Sequence, residues 1–181
     1  MTDAMRIEEL RDYLLLMGRL QMSPALSAKV DLSGVVQQTI WEALQERIPE
    51  ADDERLLWLR RLFANNLHDE IRKATAERRD HRREVSLEAA LESSSARIGA
   101  FLAGSSPSPS QKAVRADELN RLARALAELP DDQRLAVELH HLSDLPLAEV
   151  SQQLNRTREA TAALLYRALK KLRQRLGTDH S

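Results

Sequence analysis

The sequence predicts an all-α chain: two small helical domains joined by a flexible linker, the C-terminal one a helix-turn-helix. Three observations carry this. Apolar residues recur at spacings of three and four in both halves, and no stretch alternates as a half-buried strand does. The 181 residues are 43% hydrophobic but only 3% aromatic, and leucine and alanine dominate, which favours packed helices over sheets. Between the halves, Gly104 to Ser110 reads Gly-Ser-Ser-Pro-Ser-Pro-Ser and has almost nothing to bury.

The first domain is expected over residues 5–85. Leu10, Leu14 and Met17, flanked by Tyr13 and Leu20, mark its first amphipathic helix. A break follows near Ser23-Pro24, because proline disfavours helix in the residue before it. Leu32, Val36, Ile40 and Leu44 lie at intervals of four and predict a second helix, with Asp31 or Ser33 as its cap and Pro49 as its end. Leu56, Leu59, Phe63, Leu67 and Ile71 line a longer helix running past Lys73, with Arg60, Arg61, His68 and Arg72 on its wetter faces.

The linker is expected over 86–113. Ser93-Ser94-Ser95 and Gly104–Ser110 are read as unable to continue a helix, and Leu87, Leu91, Ile98, Phe101 and Leu102 as a short docked helix inside the connection. The second domain spans 114–177. After Leu129-Pro130 comes a helical segment to His141, a break at Ser143-Asp144, a short helix from Pro146 to Leu154, a tight turn, and a long basic helix to Leu176. Thr157 offers that last helix a capping hydroxyl, and Glu159 sits where the helix dipole favours an anion. Thr161, Leu165, Ala168, Leu172 and Leu176 form its buried stripe. Arg158, Ala162, Ala163, Tyr166, Arg167 and Lys170 are left on the face that can enter a groove.

The net charge of −1 hides segregation. From Arg156 to Leu176 there are seven Arg or Lys and one acid, and from Arg60 to Arg83 eight basic residues and four acids. Glu42 to Glu54 holds six acids against Arg47. Two basic segments in a nearly neutral chain suit a polyanion touched at two places. The absence of cysteine excludes disulfides and thiolate metal sites and fits a reducing cytoplasm. No apolar run is long enough to span a bilayer, so no membrane insertion is expected. His68-Asp69 has the look of a metal-dependent phosphohydrolase core, and His140-His141 with Asp144 that of a ligand cluster. Neither has further ligands at recognisable spacing, so no enzyme, metal or cofactor is expected.

The second domain carries a resemblance. Its Leu129-Pro-Asp-Asp-Gln-Arg-Leu-Ala-Val-Glu-Leu-His-His-Leu, then Leu147-Ala-Glu-Val-Ser-Gln-Gln-Leu-Asn-Arg-Thr, then Leu169-Lys-Lys-Leu-Arg, resemble region four of the extracytoplasmic-function sigma factors of the sigma-70 family. In the first domain, Asp31-Leu-Ser-Gly-Val-Val-Gln-Gln-Thr-Ile is similar to the region-two helix that docks on the polymerase clamp. Leu57-Trp-Leu-Arg-Arg-Leu-Phe-Ala-Asn-Asn-Leu-His-Asp-Glu-Ile-Arg is similar to the next helix, which faces the minus-ten element.

The resemblance implies a bacterial sigma factor whose partners are core RNA polymerase and promoter DNA, with an anti-sigma factor as a further candidate. It implies clamp contacts from Asp31, Gln37, Gln38 and Trp41. It places Asn65, Asn66, Arg72, Arg78, Arg79, Arg82 and Arg83 at the minus-ten element. Arg156, Thr157, Arg158, Glu159, Ala162, Ala163, Tyr166, Arg167, Lys170 and Lys171 fall at the minus-thirty-five element. Three departures stand out. Gly34 replaces the family's acidic residue, the Pro49–Glu54 loop has no aromatic, and Ala162 and Leu164 stand where many relatives are basic. The departures shift the reading of guanine to Arg158 or Arg156. The alternative is a stand-alone helix-turn-helix regulator that acts without core polymerase.

Overall fold

The computed structural model describes residues 7–75, 81–105 and 116–177, and every regular element among them is helical. The chain divides into two units, Met1–Ala96 and Arg97–Ser181.

The first unit contains α1 (Arg11–Arg19), α2 (Pro24–Ser27), α3 (Leu32–Ala43), α4 (Asp52–Thr75) and the first part of α5 (His81–Ser105). Polar side chains set the helix starts. Ser23 Oγ accepts the Leu26 amide at 3.3 Å at the head of α2, and Asp31 Oδ1 accepts the Gly34 amide at 3.0 Å at the head of α3. A Cβ on Gly34 would stand 2.5 Å from Asp31 Oδ2, so this glycine leaves room for the capping carboxylate. Helix α3 packs on α1 and α4 around Tyr13, Leu14, Met17, Val36, Leu59, Phe63 and Leu67, all fully buried. Gly18 brings α1 close to its neighbours: a Cβ there would overlap Leu32 Cδ1 and come within 3.1 Å of Phe63 Cζ.

Several expectations are corrected here. Helix α3 ends at Ala43 with Leu44 as its cap, ahead of Pro49, and Leu44 is exposed rather than part of the stripe. The buried face is Val35, Val36, Thr39, Ile40 and Ala43, a wider strip than the spacing of four suggested. His68 is buried, not on a wet face. Ser93-Ser94-Ser95 does not break the chain but lies within α5. The reason is tertiary. Ser94 Oγ accepts Gln21 Nε2 at 2.9 Å, and Ser95 Oγ bonds both Tyr13 Oη at 3.1 Å and Arg60 Nη1 at 2.8 Å. Partners on α1, α4 and the turn after α1 replace the local backbone bonds that make serine a poor helix former. Gly104 and Ser105 close the same helix, and 106–115 lie outside the described residues.

The second unit holds the end of α5, then α6 (Ala116–Ala127), α7 (Asp131–Val137), a π-helical turn (Glu138–Leu142), α8 (Leu147–Gln153) and α9 (Arg158–Gly177). Leu122, Leu126, Ala136, Val137, Leu142, Val150 and Ala168 are fully buried, and α9 packs on α6, α7 and α8. Arg97 Nε donates to the Leu142 carbonyl at 2.8 Å, and the Phe101 ring lies 5.5 Å from His141. The π-helical turn closes with Ser143 N bonded to Glu138 O at 2.8 Å, after which Asp144 takes a left-handed backbone, φ 58°. The acid of the rejected metal cluster is therefore a helix terminator. No group of three or more His, Cys, Asp or Glu side chains among the described residues is placed to hold a metal ion.

Candidate nucleic-acid interface

The tight turn between α8 and α9 is made by two local devices. Asn155 is left-handed, φ 51°, and the chain beyond α8 folds back so that Arg156 N bonds Ser151 O at 2.9 Å and Asn155 N bonds Gln152 O at 3.1 Å. This is the six-to-one and five-to-two pairing of a Schellman motif, with asparagine at the position that needs positive φ. Two residues later Thr157 starts α9, its Oγ1 accepting the Ala160 amide at 3.1 Å. The Glu159 carboxyl is held below the ordinary carboxylate range, first by its own backbone amide and then by the Thr157 hydroxyl. It stays an anion and a hydrogen-bond acceptor.

Helix α9 has two opposite faces. Thr161, Leu165, Ala168 and Leu172 are buried, as their spacing predicted, whereas Leu176 is only partly covered. Leu164 is buried too, so it cannot stand in for a basic base-reading residue of relatives. The exposed set is Arg158, Glu159, Ala162, Ala163, Tyr166, Arg167, Lys170, Lys171 and Arg173, with Tyr166 71% exposed. Of the two arginines expected to read guanine, Arg156 is ion-paired with Asp132 at the head of α7. Arg158 makes no hydrogen bond or ion pair with a described residue, but it precedes Thr161 and Leu165 by three and seven, on the margin of the buried stripe. Arg175 pairs with Glu128 and ties the far end of α9 to the residue after α6.

Residues 119–172 match the family model described as sigma-70, region 4. That segment, about a third of the chain, is similar to region 4 of the sigma-70 family. The match begins in α6 at Leu119 and ends at Leu172, the last buried residue of the stripe on α9, so it covers α7, α8 and α9 as far as Leu172. Region 4 is the DNA-binding helix-turn-helix of that family, and the match points to a DNA-binding role for residues 119–172. Neither the curated proteins nor the solved structures give a match to this chain.

The residues assigned to the first unit fall into three groups. Gln37 and Gln38 are exposed on α3, and Trp41 is 64% exposed. Leu44 follows Trp41 by three and extends that apolar ridge, although its spacing had suggested core. Asp31 is engaged as the cap, and Gln38 Nε2 donates to Glu42 Oε1 at 2.8 Å. On α4, Asn65 is exposed, but Asn66 is half-buried and donates to Glu42 Oε2 at 2.7 Å and Thr39 Oγ1 at 3.1 Å. Arg72 is paired with Asp69 at 3.4 Å. Arg82 and Arg83 lie in the first turns of α5, and Arg78 and Arg79 lie outside the described residues. A shallow groove lined by Asp31, Gly34, Gln38, Asn66, Asp69 and Lys73 runs between α3 and α4.

Proposed function

We propose that the chain is a sigma factor of the extracytoplasmic-function type, which binds core RNA polymerase in the bacterial cytoplasm and directs it to promoters. The observation that carries this is the matched region 4 with its capped, cation-rich recognition helix. A helical first unit whose sequence resembles region two supports it. On this reading α9 meets the minus-thirty-five element, α4 and the start of α5 face the minus-ten element, and the exposed ridge of Gln37, Trp41 and Leu44 meets the polymerase clamp. The reading assigns the chain no catalytic step and no cofactor. An anti-sigma partner is compatible with it.

The test is co-elution with core polymerase followed by transcription from a promoter library. A complex that starts transcripts at a shared motif supports the proposal. Sequence-specific binding as a dimer without polymerase would instead make the chain a stand-alone regulator.

A further inference from the structure

The exposed face of α9 is not uniform along its length. Glu159, Ala163, Tyr166 and Lys170 follow at spacings of four, three and four and form one ridge. Each precedes by two a member of the buried stripe, Thr161, Leu165, Ala168 and Leu172, so the ridge lies on the side of the helix away from the core. Its first part holds no cation. It offers one anion, the small Ala163 with Ala162 beside it, and the ring of Tyr166. Apart from Arg158 on the margin of the buried stripe, the exposed cations Arg167, Lys170, Lys171 and Arg173 follow it.

A phosphate would be repelled by Glu159 and would find no donor on the alanines. The early ridge is therefore suited to base edges, and the later cations to the backbone. Among the groups on the major-groove floor, the apolar one is the 5-methyl of thymine, which alanine-sized and aromatic surfaces contact.

We propose that Ala162, Ala163 and Tyr166 form an apolar reading patch for thymine 5-methyl groups. The patch gives this helix a methyl preference of its own, separate from any contact Arg158 makes. The inference rests on reading α9 as a major-groove helix. It names the chemical group that helix recognises.

The test uses the full chain, with and without core polymerase, to select binders from a random duplex library. The selected thymines are then replaced by deoxyuridine, which removes the methyl and leaves the pairing edge unchanged. Loss of one contacted methyl should weaken binding about fourfold, the equivalent of one buried carbon. Tyr166→Ser should bind thymine and deoxyuridine duplexes nearly alike. Tyr166→Phe should keep the difference, because the ring rather than the hydroxyl makes the contact. Both replace an exposed side chain, and circular dichroism checks that the helices remain. Equal binding of thymine and deoxyuridine duplexes by the parental chain would overturn the proposal while leaving the sigma reading intact. Methyl-dependent binding that never needs polymerase would uphold it and sink the sigma reading. A library from which nothing is selected in either arm would sink both.

Discussion

Helices α4 and α9 are both long and carry five or more Arg and Lys residues, offset on α4 by as many acids, and they use their polar residues in opposite ways. On α4, Arg60 bonds Ser95, Arg61 pairs with Glu88 at 2.8 Å, Lys73 pairs with Glu70 at 3.4 Å, and Asn66 bonds Thr39 and Glu42. On α9, Arg158, Arg167, Lys170, Lys171 and Arg173 have no hydrogen-bond or ion-pair partner among the described residues. A basic run in a sequence can therefore mean two things. On α4 much of the run joins helix to helix. On α9 only Arg175 is paired within the chain, and the other cations are left facing solvent, as a surface for a polyanion requires.

Mutations can break this comparison. The largest effect is expected where backbones approach most closely. Gly18→Val should destabilise the first unit by about 1–3 kcal/mol through overpacking against Leu32 and Phe63, read as a lower denaturant midpoint. Next is the turn that aims α9. Asn155→Val should cost about 1–2 kcal/mol because a β-branched residue resists positive φ, whereas Asn155→Gly should be close to neutral. If both behave alike, the left-handed turn is not what holds the motif.

The direct contrast comes third. Asn66→Ala should lower the stability of the first unit by about 1 kcal/mol through its lost hydrogen bonds. Lys171→Ala should stay within about 0.5 kcal/mol in stability. It should instead weaken DNA binding and reduce the salt slope by about 1. A stability loss for Lys171→Ala as large as for Asn66→Ala would erase the distinction between the two helices.

The smallest effect concerns pH. Burial, with His140 close by, depresses the His141 imidazole below its ordinary 6.5. The unfolded chain then takes up this proton first on acidification. The contribution is present above the unfolded value and is lost as pH falls through the folded one. His141→Gln should flatten that part of the stability profile, measured by denaturation on either side of the histidine range.

What could be read from the sequence was local. The Thr157 cap, the Asp31 cap and the stripe of Thr161, Leu165, Ala168 and Leu172 each follow from neighbours within two turns. What could not be read depends on distant partners. Ser94 and Ser95 sit in a helix because Gln21, Tyr13 and Arg60 bond them. Leu164 is core because α9 is covered over a wider arc than one stripe, and Arg156 is occupied because α7 presents Asp132. Asn155 did carry a signal: asparagine two residues before a cap is a residue suited to positive φ. The division of the α9 ridge into a cation-free early part and a cationic later part was also present in its residues, but only the burial pattern shows which side faces away from the core.

The π-helical turn Glu138–Leu142 has a consequence for the chain's length. A π turn holds one residue more than an α-helix needs to cover the same rise. Deleting a single residue there, such as Leu139, would let the segment continue α7 in ordinary register without stretching the chain on either side. Elsewhere in a buried helix the same deletion would rotate every later side chain away from its socket. Region 4 domains related to this one should therefore come in two lengths that differ by one residue at this point, the shorter ones lacking the bulge.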